Sequence, residues 1–253
     1  LYAMWFKVTR DTPAQTVHRS MEPIRLEVTA NDTLQAHHYP AHAPVRRNRS
    51  VIVGPATAVP QTVYIKFCQY LAEQGFDVLC FDYRGIGQSF SGDIRDYRDI
   101  GFSAWAEHDY PAVIDHMHAR HPGQPLYIVG HSVGGWMPGA TSASHRIDGI
   151  LGIAALSAHW PLMARPHRYW HWFAWHAVVP VTTALLDYWP GWAGLKMDLS
   201  ATLGREFAAW AKSPGFVFDA PQFDARGNAE KFTGKLHLLQ IADDPWGTPA
   251  AVS

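Results

Sequence analysis

Ser132 stands in the run Gly130-His131-Ser132-Val133-Gly134, directly after the apolar stretch Leu126-Tyr127-Ile128-Val129 and directly before Gly135-Trp136-Met137. A strand that ends at a serine flanked by glycines, and turns at once into a helix, thrusts the hydroxyl out of a tight bend. Glycine suits positions 130 and 134 because a side chain at either would block the approach of strand and helix. The N–H of Val133 then opens a helix and faces the charge that develops on an attacked carbonyl oxygen. The chemistry of such an arrangement is nucleophilic, with the serine taking an acyl group and passing it on.

A serine hydroxyl is a poor nucleophile alone. It needs a histidine base, and the histidine needs a carboxylate to fix its tautomer and steady its charge. The apolar run Leu236–Ile241 leads into Ala242-Asp243-Asp244-Pro245-Trp246-Gly247-Thr248-Pro249. A carboxylate just past the carboxyl end of a parallel strand lies on the ligand side of a sheet. Asp243 and Asp244 both qualify. Asp244 is preferred because it directly precedes Pro245, with Asp243 turned away. A second oxyanion donor is expected from Gly54-Pro55-Ala56-Thr57-Ala58. Pro55 has no N–H, so Thr57 is the first choice and Ala56 the next. The histidine is the difficulty, because none follows Asp244. His131 is adjacent to the serine and points the wrong way for a base. His159, His167, His171 and His176 read as surface or aromatic-packing residues.

The elements that must position these groups follow from hydrophobic periodicity. Ile24–Thr29 and Leu34–Tyr39 predict an opening hairpin around Asn31-Asp32. Val51–Val53, Val78–Phe81, Leu126–Val129, Ile150–Leu156 and Leu236–Ile241 are short apolar runs, as expected of strands buried on both faces of a parallel sheet. Tyr64, Phe67, Cys68 and Leu71 make one helical stripe, and Ala106, Tyr110, Val113 and Met117 another. Alternation of this kind predicts a mostly parallel, doubly wound α/β sheet. The loop Phe81-Asp82-Tyr83-Arg84-Gly85-Ile86-Gly87-Gln88-Ser89 reads as charge-anchored scaffold beside the serine.

Residues 159–215 break the alternation and hold seven of the eleven tryptophans. They are expected to form a helical cap insertion over the serine. Trp160, Trp170, Trp172 and Trp175 are candidates for the wall of an apolar substrate pocket. The remaining divisions are residues 1–20, an unstructured or spurious extension with Met21 as the start, residues 21–158, the first part of the core, and residues 216–253, its return.

The chain has 253 residues, 47% of them hydrophobic, and a formal net charge of −1. That length suits one domain with insertions. The balanced charge excludes a nucleic-acid surface or an acidic tail. Cys68 and Cys80 stand in no metal-ligand spacing and read as small apolar residues in a reducing, cytoplasmic setting. The apolar run from Trp172 to Leu186 is too interrupted to span a bilayer.

With Pro55-Ala56-Thr57-Ala58-Val59-Pro60, Phe81-Asp82-Tyr83-Arg84-Gly85-Ile86-Gly87, Gly130-His131-Ser132 and Asp243-Asp244-Pro245-Trp246-Gly247-Thr248-Pro249 in hand, the chain resembles the α/β-hydrolases from about Met21 to Val252. The likeness is to a group related to the serine aminopeptidase-like and monoacylglycerol lipase-like enzymes. It implies the α/β-hydrolase fold, Ser132 as nucleophile, Asp244 as acid, and a histidine about 25–40 residues beyond Asp244 that this sequence does not contain. The sequence is therefore expected to be truncated before its histidine loop. The implied reaction is hydrolysis of an uncharged, partly apolar ester through an acyl-enzyme, with amidase or aminopeptidase-like activity and non-catalytic ligand binding as alternatives. A small-molecule acyl substrate is the expected partner, with no metal and no organic cofactor.

Overall fold

The computed structural model describes residues 21–252, except 43, 45 and 194. The expectation for residues 1–20 lies outside them. A seven-stranded sheet runs through the molecule in the order β1-β2-β4-β3-β5-β6-β9. The hairpin is β1 (Glu22–Glu27) and β2 (Thr33–Tyr39), and β2 pairs antiparallel with β4 (Asp77–Phe81). From there β3 (Ser50–Gly54), β4, β5 (Leu126–His131), β6 (Gly149–Ile153) and β9 (Lys235–Leu239) are parallel neighbours. A two-residue ribbon, β7 (Tyr188–Trp189) with β8 (Leu199–Ser200), stands apart. This is an α/β-hydrolase fold, a mostly parallel mixed sheet flanked by helices.

The helical stripes lie where periodicity put them. In α1 (Ile65–Glu73) Cys68 is fully buried, and Tyr64, Phe67 and Leu71 join it against Val51, Val53, Val78 and Cys80 on one face of the sheet. The second helix, α2, spans residues 102–120. It opens at Phe102–Ala104, widens by a π turn at Trp105–Asp109, and continues through Tyr110–Arg120. Ala106, Tyr110, Val113 and Met117 are buried on the opposite face, with Ile52, Leu79 and Ile128. Next come α3 (Val133–Ala140), α4 (residues 167–186, with a π turn at Ala174–Val178), α5 (Ala201–Lys212), α6 (Ala225–Glu230) and the short α7 (Pro249–Val252).

One strand departs from expectation. The run at Leu236–Ile241 was expected to be buried on both faces, yet all five residues of β9 are exposed, Leu236 to 54% and Leu239 to 49%. The reason is its place at the edge of the sheet, where β6 is its only strand partner among the described residues. The strand also stops at Leu239, two residues short of Ile241.

Candidate functional site

At the carboxyl end of β5 the chain reverses over a single residue. Ser132 has φ 53° and ψ −118°, a backbone conformation that an L-residue rarely adopts. Two hydrogen bonds hold the bend. The Ser132 N–H donates to the Ile153 carbonyl (2.9 Å), and the Gly135 N–H donates to the Ser132 carbonyl (2.9 Å).

Backbone contact explains the glycines. A Cβ on Gly130 would fall 1.8 Å from the Gly134 carbonyl oxygen, and one on Gly134 would fall 2.2 Å from that of Gly54. Gly135 and Gly152 face each other across α3 and β6 in the same way. The Tyr110 hydroxyl donates to the Gly134 carbonyl (3.1 Å) and lies 3.1 Å from the Tyr83 hydroxyl, which itself reaches the Pro55 carbonyl (3.2 Å). Tyr83 stacks on Trp105, ring centroids 4.3 Å apart. The floor of the bend is therefore backbone and tyrosine, with little freedom to shift.

Ser132 itself is half-buried. Its hydroxyl makes no hydrogen bond to another described residue. Val133 is the first residue of α3, where helix geometry leaves the N–H without an intrahelical acceptor. The loop after β3 separates the two donors weighed there. The Ala56 N–H is committed to the Tyr64 hydroxyl (3.1 Å), whereas that of Thr57 is bonded to no described residue. Thr57 is half-exposed, and Ala58 after it takes a positive φ of 60°.

Asp244 is 8% exposed, and Asp243 faces solvent. One carboxylate oxygen of Asp244 accepts the Trp246 N–H (2.9 Å), while a Cβ on Gly247 would lie 3.1 Å from the other. The Asp244 charge acts on the His131 ring. Burial lowers the pKa of His131, and the Asp244 charge partly offsets that shift. The His131 Nδ1 is engaged by the Tyr64 hydroxyl at 3.0 Å.

Of the other histidines weighed as bases, His167 is exposed and three are tied to backbone carbonyls elsewhere. Nδ1 of His159 pairs with the Ala211 carbonyl, that of His171 with His167, and that of His176 with Trp172. Among the described residues, then, no Ser–His–Asp triad is assembled.

The scaffold loop is anchored as its charges suggest. Arg84 donates from its backbone and from Nε to Asp109 (2.9 and 2.6 Å), and from Nη1 to Asp32 (3.0 Å). Asp82 collects N–H groups from Gln61 and Gln88. Burial raises its pKa, and those donors oppose the shift.

Residues 159–215 pack over the Asp244 loop. The Ala164 N–H donates to the Pro245 carbonyl (2.9 Å), the Thr248 hydroxyl to the Leu162 carbonyl (2.5 Å), and His171 meets Trp246 edge-on at 4.1 Å. The four tryptophans singled out by sequence have different surroundings. Trp175 is buried among Trp189, Phe207 and Trp246. Trp160 is half-buried, edge-on to His176, on which Trp172 stacks. Trp170 and Trp172 are 55% and 46% exposed.

The sequence model of the serine aminopeptidase S33 family matches residues 50–204, more than half of the chain. The chain belongs to that family. A search among curated proteins finds no match. Among solved structures, DcsB in complex with its substrate analogue superposes with a TM-score of 0.60 at 12% identity, over 91% of this chain and 83% of that one. A soluble variant of monoglyceride lipase from Saccharomyces cerevisiae gives 0.56 at 16% identity, over 88% and 86%. The lidless α/β serine hydrolase from Xanthomonas campestris gives 0.44 at 20% identity over 55% of this chain, which spans 62% of the length of that protein. The first two likenesses carry the fold. No helix among the described residues is long and apolar enough to cross a membrane.

Proposed function

We propose that this family member is a serine-type acyl hydrolase acting through Ser132. In this reading Ser132 attacks a carbonyl, the N–H groups of Val133 and Thr57 hold the oxyanion, and Asp244 orients the histidine base. An acyl-enzyme forms and water releases it. The carrying observation is the strained, half-buried serine at the head of α3, in a bend where Gly130 packs on Gly134 and Gly134 on Gly54. Strain of this kind persists only where the surroundings over-determine it, and it recurs at active sites. No described residue offers the base, so a histidine from outside them is part of the proposal. The substrate class is a small carbonyl compound with an apolar acyl part, supported by Trp160 and Trp175 near the Asp244 loop. Free, buried Cys68 and Cys80 support a reducing, cytoplasmic setting.

A second reading, a non-catalytic ligand-binding homologue, is favoured by one observation: Asp244 is buried, and among the described residues no imidazole is hydrogen-bonded to it. One experiment separates the two. The protein is treated with a fluorophosphonate and the modified peptide is identified by mass spectrometry. An adduct on Ser132, with turnover of an acyl ester or an aminoacyl anilide, supports the hydrolase and tells esterase from amidase. Folded protein that takes no adduct while still binding an acyl ligand sinks the hydrolase and leaves the binding protein.

A further inference from the structure

Far from Ser132, three side chains from three segments meet. His38 lies on β2, Asp77 opens β4, and His121 caps the end of α2. Each turns one ligand atom to within 4.8 Å of the other two. The register locates them. Ser50 pairs with both Asp77 and Leu126, so Asp77 is level with the start of β5. Ser132 lies six residues further along, about 20 Å away at the rise of a strand.

The cluster is underused by the protein. The His38 side chain is 2% exposed, and neither ring nitrogen has a hydrogen-bond partner of good geometry among the described residues. Its Nδ1 lies 3.4 Å from the Glu22 carboxylate. His121 Nε2 is likewise unpartnered, and its Nδ1 lies 3.7 Å from Asp77 Oδ2. The two imidazoles face each other, ring centroids 5.5 Å apart. Native proteins seldom leave buried ring nitrogens unused.

Asp77 is held for the role. Its Oδ1 accepts the Ala41 N–H (3.1 Å), which fixes the carboxylate and leaves Oδ2 on the histidine side. An outer-shell donor of this sort is what orients a metal-binding carboxylate. Arg46, 3.7 Å from Asp77 Oδ1, is mostly exposed and free to swing into water. Arg120 is already paired with Glu22.

We propose that His38, Asp77 and His121 form a zinc site that clamps the β1–β2 hairpin to the end of α2 and the start of β4. Two imidazole nitrogens and one carboxylate oxygen are a ligand set zinc accepts, with water or half-exposed Glu22 completing a tetrahedron. At zinc bond lengths of about 2.0–2.2 Å, ligand atoms stand roughly 3.4 Å apart. The cluster must therefore contract by about 1.5 Å at most, within reach of side-chain rotation at His121 and Asp77. Entry is open on the Glu22 and Arg46 side, where both chains reach solvent. The site is structural and independent of the hydrolase reading, because it sits at the other end of the sheet.

The test is zinc binding to the chain stripped with a chelator. Metal analysis after gel filtration is expected to find one Zn²⁺ per chain. Cobalt in its place is expected to give the visible absorption of a tetrahedral site. At a hundredfold excess over the Kd, zinc raises Tm by about 5–10 °C. His121→Gln, at a part-exposed position that tolerates change, should weaken binding at least about a hundredfold. His118→Gln, whose ring bonds the Arg146 carbonyl instead, should bind as the parent does. Fluorophosphonate labelling is expected to be the same with and without zinc. Retention of no zinc overturns the proposal. So does equal affinity in the His121→Gln and parent proteins, which would put the metal on other histidines.

Discussion

Past the carboxyl end of β5 and beside the amino end of β4, the sheet carries two regions that each hold a buried carboxylate and imidazole rings, and they are built in opposite ways. At the upper end, His131 and Asp244 flank a backbone cradle in which polar atoms are matched: Tyr64 to His131, Trp246 to Asp244, Tyr110 to Gly134. At the lower end, His38 and His121 surround Asp77 with ring nitrogens unmatched. The bend at Ser132 comes from neighbours in sequence, Gly130 to Gly135, and cannot relax without moving main chain. The lower cluster comes from three distant segments joined only by side chains. The contrast separates strain held at one backbone position from binding capacity held in unpaired donors and acceptors.

The largest expected effect tests the upper end. Ser132→Gly removes the hydroxyl and suits a φ of 53°. Labelling is expected to vanish, and any turnover to fall by up to about a million-fold. Stability, by contrast, should rise by about 1 kcal/mol as the strain is relieved, read as the urea midpoint at constant m. A fall in stability would mean that the bend is not strained. Next in size is Gly130→Ala. Its added methyl collides with the Gly134 carbonyl, which cannot give way, and the expected cost is about 3–5 kcal/mol. On α3, by contrast, Gly139→Ala meets nothing closer than 4.0 Å and should be neutral or slightly stabilising.

Much of the upper end was legible in the sequence, and the lower end was not. Gly130 to Gly135 is one contiguous run, so its spacing states the bend. Asp243 and Asp244 were both legible as carboxylates past a strand, with Asp244 preferred, and the structure buries Asp244 while Asp243 faces solvent. Arg84 read as an anchor, but Asp109, 25 residues on, carried no signal that it would be the partner. The exposure of β9 was hidden, because an apolar run reports strand propensity and not whether a neighbour lies beyond it. The lower cluster was invisible for a related reason: 38, 77 and 121 are too far apart for any ligand spacing. The faint clue was a histidine pair, His37-His38, inside a strand otherwise built of apolar and small polar residues.

Titration compares the two ends directly. Burial, reinforced by Arg120 and opposed by Glu22, lowers the His38 pKa to about 4. Burial lowers that of His131 as well. In the unfolded chain both titrate near 6.5, so below that pH the unfolded state binds more protons than the folded one. Stability is then full above about pH 6.5 and declines as pH falls toward 4. His38 alone should account for about 2–3 kcal/mol of that decline in metal-free protein. Urea midpoints between pH 4 and 8 measure it. A flat profile would show that these rings are not held neutral.

The smallest expected effect bears most closely on the contrast. His38→Leu replaces a buried ring, with no hydrogen-bond partner of good geometry among the described residues, by an apolar side chain of similar bulk. Removing an unmatched polar group is close to neutral or stabilising, because no partner is left behind unsatisfied. At pH 7, without metal, stability should therefore rise by about 1 kcal/mol, and the His38 share of the acid slope should disappear. The same substitution should abolish zinc binding, so the lower end would trade stability for a ligand as the upper end trades it for a reactive hydroxyl. A loss of more than about 1 kcal/mol would show that His38 is already satisfied without a metal, and the two ends would then differ in sequence origin alone.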